Sequence, residues 1–156
     1  MISSTGTVTA VCVSASKGTQ KKPVERVRLL LNHGIAGDAH AGPGDRQISL
    51  LSVASIDKMR AAGLDVGAGD FGENIVVDGL DLCGLPIGTK LKVGDAVQLE
   101  ITRIGKVCHE RCAIYYQAGD CVMPREGIFA IVLAEGEVTA GDRVALIEQE
   151  TRQGSL

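Results

Sequence analysis

Glycine sets the rhythm of this chain. Twenty glycines in 156 residues, often beside Asp, interrupt the apolar sequence at close intervals and leave mostly short runs between them. Short apolar runs bounded by Gly and Asp read as strands joined by tight turns. Candidate strands are 6–14, 27–31, 47–51, 73–77, 90–93, 97–104 and 144–148. In "VQLEITRIG" apolar and polar residues alternate, which predicts a strand with one wet face. Two segments read as helices. "SVASIDKMRAAG" (52–63) has Ser52 as its N-cap, Gly63 at its end, and Val53, Ile56 and Met59 about one turn apart. "PREGIFAIVLAEG" (124–136) is bracketed by Pro124 and Gly136, a helix start and stop. The expected fold class is mainly β with two or three helices, a barrel-like domain spanning 1–149, followed by a polar tail at 150–156.

The bulk numbers bound the function. A chain that is 45% hydrophobic with a net charge of −3 is composed like an ordinary soluble domain, and its mild acidity argues against general nucleic-acid binding. The longest clean apolar run, Ile128 to Ala134, is far too short for a membrane helix. The opening "MISSTGTVTAVCVSASKG" lacks a charged region ahead of its apolar stretch, so no signal peptide is expected and the expected location is the cytoplasm. In a reducing compartment five cysteines, an odd number, suggest thiol chemistry or metal ligation before disulfides.

Three of those cysteines crowd into "KVCHERCAIYYQAGDC" (106–121), with His109 between the first two. Cys108 and Cys112, four residues apart, share a face, whereas in an extended segment His109 points the other way, so a closed Cys3His zinc site is not expected. From Arg103 to Cys112 the charged residues are Arg103, Lys106, Glu110 and Arg111, a local positive excess in an acidic protein. Cations beside a thiol favour the thiolate, which is the nucleophile and the metal ligand. The same residues also fit a blander pattern, solvated strand-edge charges with cysteines as small core hydrophobes. Cys12 and Cys83, in unrelated contexts, are expected to do no more than pack.

Two glycine-rich loops add polar groups. "GIAGDAHAG" (34–42) carries Asp38 and His40, with Gly37 leaving the backbone amides open to an anion, and Arg46 follows. "GDFGEN" brings Glu73 and Asn74 together after a second glycine-rich turn. With the thiol segment and Arg125, these loops form an inventory suited to a polyanionic ligand with a sulfur or metal centre.

Taken in order, "GIAGDAHAG", "RQISLLS", "GDFGENI", "LPIGTKLKVGDAVQLEIT", "GKVCHERCAIYYQAGDCVMPREGIFAIVL" and "GEVTAGDRV" resemble the MOSC family. This is the domain found at the C-terminus of molybdenum cofactor sulfurases and in small stand-alone bacterial proteins. The resemblance covers about residues 5 to 148 and implies a β-rich, barrel-like fold. It also implies an association with the molybdenum cofactor (molybdopterin), a pterin dithiolene bearing a phosphate. In the amidoxime-reducing branch a cysteine in an Arg-Cys pair ligates molybdenum, and Arg111-Cys112 is similar, which makes Cys112 the candidate metal ligand. Cys108 is an additional thiol that could take the same role.

The resemblance thus leads to an expected molybdenum-cofactor-binding or sulfur-carrier protein, with sulfur transfer as its chemistry if it turns over. Cys112, or Cys108, acts as thiolate ligand or persulfide acceptor, with Arg111 lowering the thiol's pKa. Asp38 and His40 serve as polar or proton-transfer groups. Arg46, Glu73, Asn74 and Arg125, with the backbone at Gly37, would hold the pterin or its phosphate. No counterpart of the sulfurases' pyridoxal-phosphate desulfurase domain is evident in the sequence. Sulfur is therefore expected from a partner such as a cysteine desulfurase, and molybdenum-cofactor biosynthesis proteins or molybdoenzymes are the other expected partners. Two alternatives belong to other classes. In a thiol redox protein or sensor, Cys108 and Cys112 would pair reversibly or Cys121 would resolve a sulfenate. In a binding module, the same cluster would hold a structural metal.

Overall fold

The computed structural model describes residues 5–14, 21–39, 41–63, 65–69, 71–80, 82–104 and 127–147, with the side chain of Cys83 outside the described set. Among them run β1 (Thr5–Val13), β2 (Lys22–Val24), β3 (Arg26–Leu30), β4 (Gly34–Ile35), β5 (Ile48–Ser52), α1 (Val53–Ala61), β6 (Ile75–Asp78), β7 (Lys90–Val93), β8 (Val97–Ile104), β9 (Ile128–Ala134), β10 (Gly136–Thr139) and β11 (Arg143–Leu146). Seven strands pair in the order β11-β7-β8-β9-β5-β6-β1. The cycle closes where β1 meets β11 through Thr5–Ala145, Gly6–Val144 and Thr7–Arg143. The result is a closed β-barrel, as expected. β2 continues along the far half of β1, and β10, β3 and β4 form a second sheet.

Alternation along the strands sorts the side chains. Leu50, Ile75, Val77, Leu91, Leu99, Ile101, Val132 and Val144 fill the interior, and Val27, Leu29, Ile35 and Val138 of the small sheet join the same core. Burying such side chains is the main source of stability in a domain of this size. β8 buries Val97, Leu99 and Ile101 and turns Gln98 and Glu100 outward, the half-wet pattern its sequence predicts. Neighbouring barrel strands run antiparallel except β5 and β6, which are parallel and need a crossover. α1 begins that crossover. Its Ile56 and Met59 pack on the outer faces of Leu51, Val76 and Phe129 in a second apolar cluster. Ser52 holds the N-cap position, but its hydroxyl donates to the Leu80 carbonyl (3.4 Å) instead of capping the helix.

The second expected helix is a strand. Residues 128–134 form β9, paired with β8 on one side and β5 on the other. Seven apolar residues suit a central strand, and over its first three residues both faces are buried. Ile128, Ala130 and Val132 enter the barrel core while Phe129 joins the cluster under α1. Among the described residues there is thus one α-helix, with a short 3-10 turn at Leu82–Gly84, in place of two or three helices. None is long and apolar enough to cross a membrane.

The junction of β1, β5 and β6 is tied by one side chain. Asn74, 1% exposed, accepts at Oδ1 from the Ser49 amide (3.0 Å) and donates from Nδ2 to the Cys12 carbonyl (3.1 Å). Its own backbone continues the ladder, with its amide donating to the Ser49 carbonyl (3.0 Å) and its carbonyl accepting from the Cys12 amide (2.7 Å). Asn74→Ala removes two buried side-chain hydrogen bonds to the backbone and is expected to lower stability by about 2–4 kcal/mol. Val24→Ala, on a side chain 38% exposed, should change it by under about 0.5 kcal/mol. Urea unfolding midpoints compare the two, and equal effects would contradict the assignment of Asn74 as a tie.

Candidate functional site

The sequence candidates fall into two groups, one within the described residues and one mostly outside them. One gathers where β1 ends and β6 begins. Asp38 Oδ1 accepts from the Ser14 amide (3.1 Å) and from Lys21 Nζ (2.8 Å). That ion pair is fully enclosed, its two side chains 0% and 1% exposed. Gly37, beside it, has φ +83 and open space where a Cβ would stand, so its backbone is left uncovered. Glu73, also buried, turns both oxygens onto its own loop. Oε2 accepts from the Gly69 amide (2.8 Å) and Oε1 from the Phe71 amide (3.1 Å). Asn74 follows it in the strand tie described above. The carboxylate of Glu73 and the amide of Asn74 therefore hold the frame on which any pocket here is built.

The second group is approached only through the strands that flank it. Ile104 pairs with Ile128, Ile128 with Leu50, and Leu50 with Ile75. The chain thus leaves β8 and re-enters β9 level with Leu50 and with Ile75, the first residue of β6, which Glu73 and Asn74 directly precede. Residues 105–126 join those two strands, so Cys108, Arg111, Cys112, Cys121 and Arg125 lie outside the described residues, as does His40. What the structure places is their root. Residues 41–47 bring Asp45 to β8, where its carbonyl accepts from the Thr102 hydroxyl and its carboxylate pairs with Arg103 Nη1 (3.3 Å). Arg46, exposed, stacks its guanidinium over the Phe129 ring at 5.5 Å. The ladder between β8 and β9 is irregular between Ile101 and Arg103, the kind of local bulge that re-aims side chains.

Gln47 ties this loop to the frame. Its Oε1 accepts from the Val132 amide (2.9 Å), and its Nε2 donates to Asn32 Oδ1 (2.7 Å) and to the Gly44 carbonyl (3.1 Å). Gly34 is required beneath it. With φ +118, a Cβ at that position would stand 2.2 Å from the Gln47 carbonyl oxygen. Sequence reasoning missed Gln47 and Lys21. "KKPV" offers no local sign that Lys21 is enclosed while Lys22 is exposed.

Among the described residues no three His, Cys, Asp or Glu side chains come together to hold a metal. Cys12 is buried and in no disulfide, consistent with packing. The described part of the site therefore offers an exposed cation, Arg46, and open loop backbone. Soft metal donors would come from the thiols of residues 105–126.

Comparison with known proteins adds family and fold. The YuaD protein from Bacillus subtilis superposes with a TM-score of 0.78 at 18% identity, covering 94% of this chain and 97% of its own. YiiM from Escherichia coli gives a TM-score of 0.66 at 20% identity, covering 94% of this chain and 71% of its own. YiiM from Geobacillus stearothermophilus gives 0.63 at 19% identity, with coverage of 94% and 75%. At these identities the likeness is one of fold. No curated protein matches the chain. The family model described as "MOSC domain" matches residues 36–145, a span that runs from the glycine-rich loop through the thiol segment to β11. The chain belongs to the MOSC domain family, which is associated in general with molybdenum cofactor sulfurases.

Proposed function

We propose that this protein binds the molybdenum cofactor or carries sulfur for metal–sulfur cofactors, with Cys112 as the working thiol. The observation that supports this most is the placement of Arg46 and Arg103 at the root of the one chain excursion that holds Cys108, Cys112 and Cys121. Arginine's planar fork suits a pterin phosphate, and positive charge near the thiols favours the thiolate. Soft thiolate is the right donor class for a molybdenum centre, and the group when bound would supply oxygen-atom or sulfur chemistry.

As a sulfur carrier, the Cys112 thiolate attacks the terminal sulfur of a persulfide on a donor protein. A new S–S bond forms on Cys112, the donor's S–S bond breaks, and the donor leaves as thiolate. A cysteine desulfurase is the class of partner that presents such a persulfide. Arg111 adjoins Cys112 in sequence, Arg125 is a further candidate for the phosphate, and His40 is the candidate for proton handling.

Two variants test the reading. Cys112→Ala should abolish persulfide seen by native mass spectrometry and pterin seen by fluorescence, with the circular dichroism of the fold intact. Unchanged retention would overturn the assignment, and loss only in Cys108→Ala would move it to Cys108. Arg46→Ala should weaken pterin retention about tenfold while shifting stability by under about 1 kcal/mol, the worth of an exposed cation–π contact. Wild-type retention in that variant removes Arg46 from the site.

A further inference from the structure

We infer that Lys21 is a positioning residue whose buried ion pair with Asp38 seats the glycine-rich loop that carries His40. The consequence for function rests on the reading of His40 as a site group, whereas the seating itself does not.

The pair is unusual for its enclosure. Both side chains are all but removed from water, with Nζ and Oδ1 2.8 Å apart. Charges in such a place must be matched, yet apolar residues of similar volume often serve stability as well or better. What the charges add is selectivity among loop arrangements. A loop seated with Asp38 on Lys21 leaves neither charge bare, and any other seating parts two enclosed opposite charges.

Asp38 is well placed to transmit that constraint. Its amide donates to the Ile35 carbonyl (3.1 Å), its carbonyl accepts from the Ala41 amide (3.1 Å), and the next amide, Ala39, donates to the Ser14 carbonyl (2.8 Å). Residue 40 thus lies between two backbone amides that are each pinned, one through Asp38 and one through the end of β1. Lys21 is itself held from the other side. Its amide donates to the Gly69 carbonyl (2.9 Å), and the Gly69 amide donates to Glu73, which directly precedes the Asn74 tie. A Cβ at Gly69 would stand 2.1 Å from the Lys21 carbonyl oxygen, so the two backbones meet as closely as glycine permits. A continuous path therefore runs from β6 through Glu73, Gly69, Lys21 and Asp38 to the loop.

The test is the charge-neutral pair Lys21→Met with Asp38→Asn in the full chain, followed by amide exchange, histidine ring NMR signals and retention of persulfide or pterin. The Ile101 amide, bonded to the Thr89 carbonyl (2.9 Å), serves as the reference for global stability. The double variant should keep wild-type exchange at Ile101 while Ala39 and Ala41 exchange about tenfold faster or more. The His40 ring signals should shift, those of His33 should not, and retention should fall. Wild-type protection at Ala39 and Ala41 in a folded double variant overturns the inference, whatever happens to retention. If the double variant does not fold, the wild type decides, since Ala39 and Ala41 amides exchanging as fast as an open turn would also overturn it. A wild type that retains neither persulfide nor pterin sinks the proposed function and leaves the exchange result standing.

Discussion

Pairing of Thr5–Thr7 with Arg143–Ala145 turns an open sheet into a cylinder, and most of the molecule follows from it. A closed barrel has no long edge to protect, and its interior-facing positions must be filled by side chains of matched size. The aliphatic residues supply that filling, and with aromatics at only 3% of the chain the core is built almost entirely from Val, Ile and Leu. Closure also dictates where polar groups can sit. They collect at strand ends, where the ladder stops and the backbone needs other partners.

At one such end the polar groups are buried rather than wet. Asn74, Glu73 and Asp38 each satisfy backbone amides, and the ion pair with Lys21 joins this set. Buried amides without partners cost far more than the bonds return, so these side chains hold the barrel's mouth in one shape. A carboxylate that looks chemical in a glycine-rich motif can thus be the fastening of that motif.

Legibility in the sequence followed the range of the interactions. β7 and β8 were readable to the residue because alternation and flanking turns are local, and α1 was readable from its apolar spacing and Gly63. β9 was not, because a seven-residue apolar run between Pro124 and Gly136 satisfies helix signals equally well. Only its two strand partners, β8 and β5, decide the matter. The glycine-rich loops stood out as special, yet the partners of their polar residues did not. Lys21 and Lys22 are neighbours of one type, and what encloses the first is Asp38, seventeen positions on, together with Gly69 far along the chain. Tertiary contacts of that length leave no mark in a short window.

The two groups have different roots in the barrel. A junction holds Asp38 and Glu73 where β1 ends and β6 begins, and the thiol segment joins β8 to β9 between Ile104 and Ile128. Residues 36–47 connect the two, fastened at Asp38 to Lys21 and at Asp45 to Arg103, with Gln47 gripping the middle of β9. Polar groups fastened in this way keep a fixed spacing relative to the barrel. The barrel provides the spacing, and this strap carries it from the end of β1 to β8 and β9.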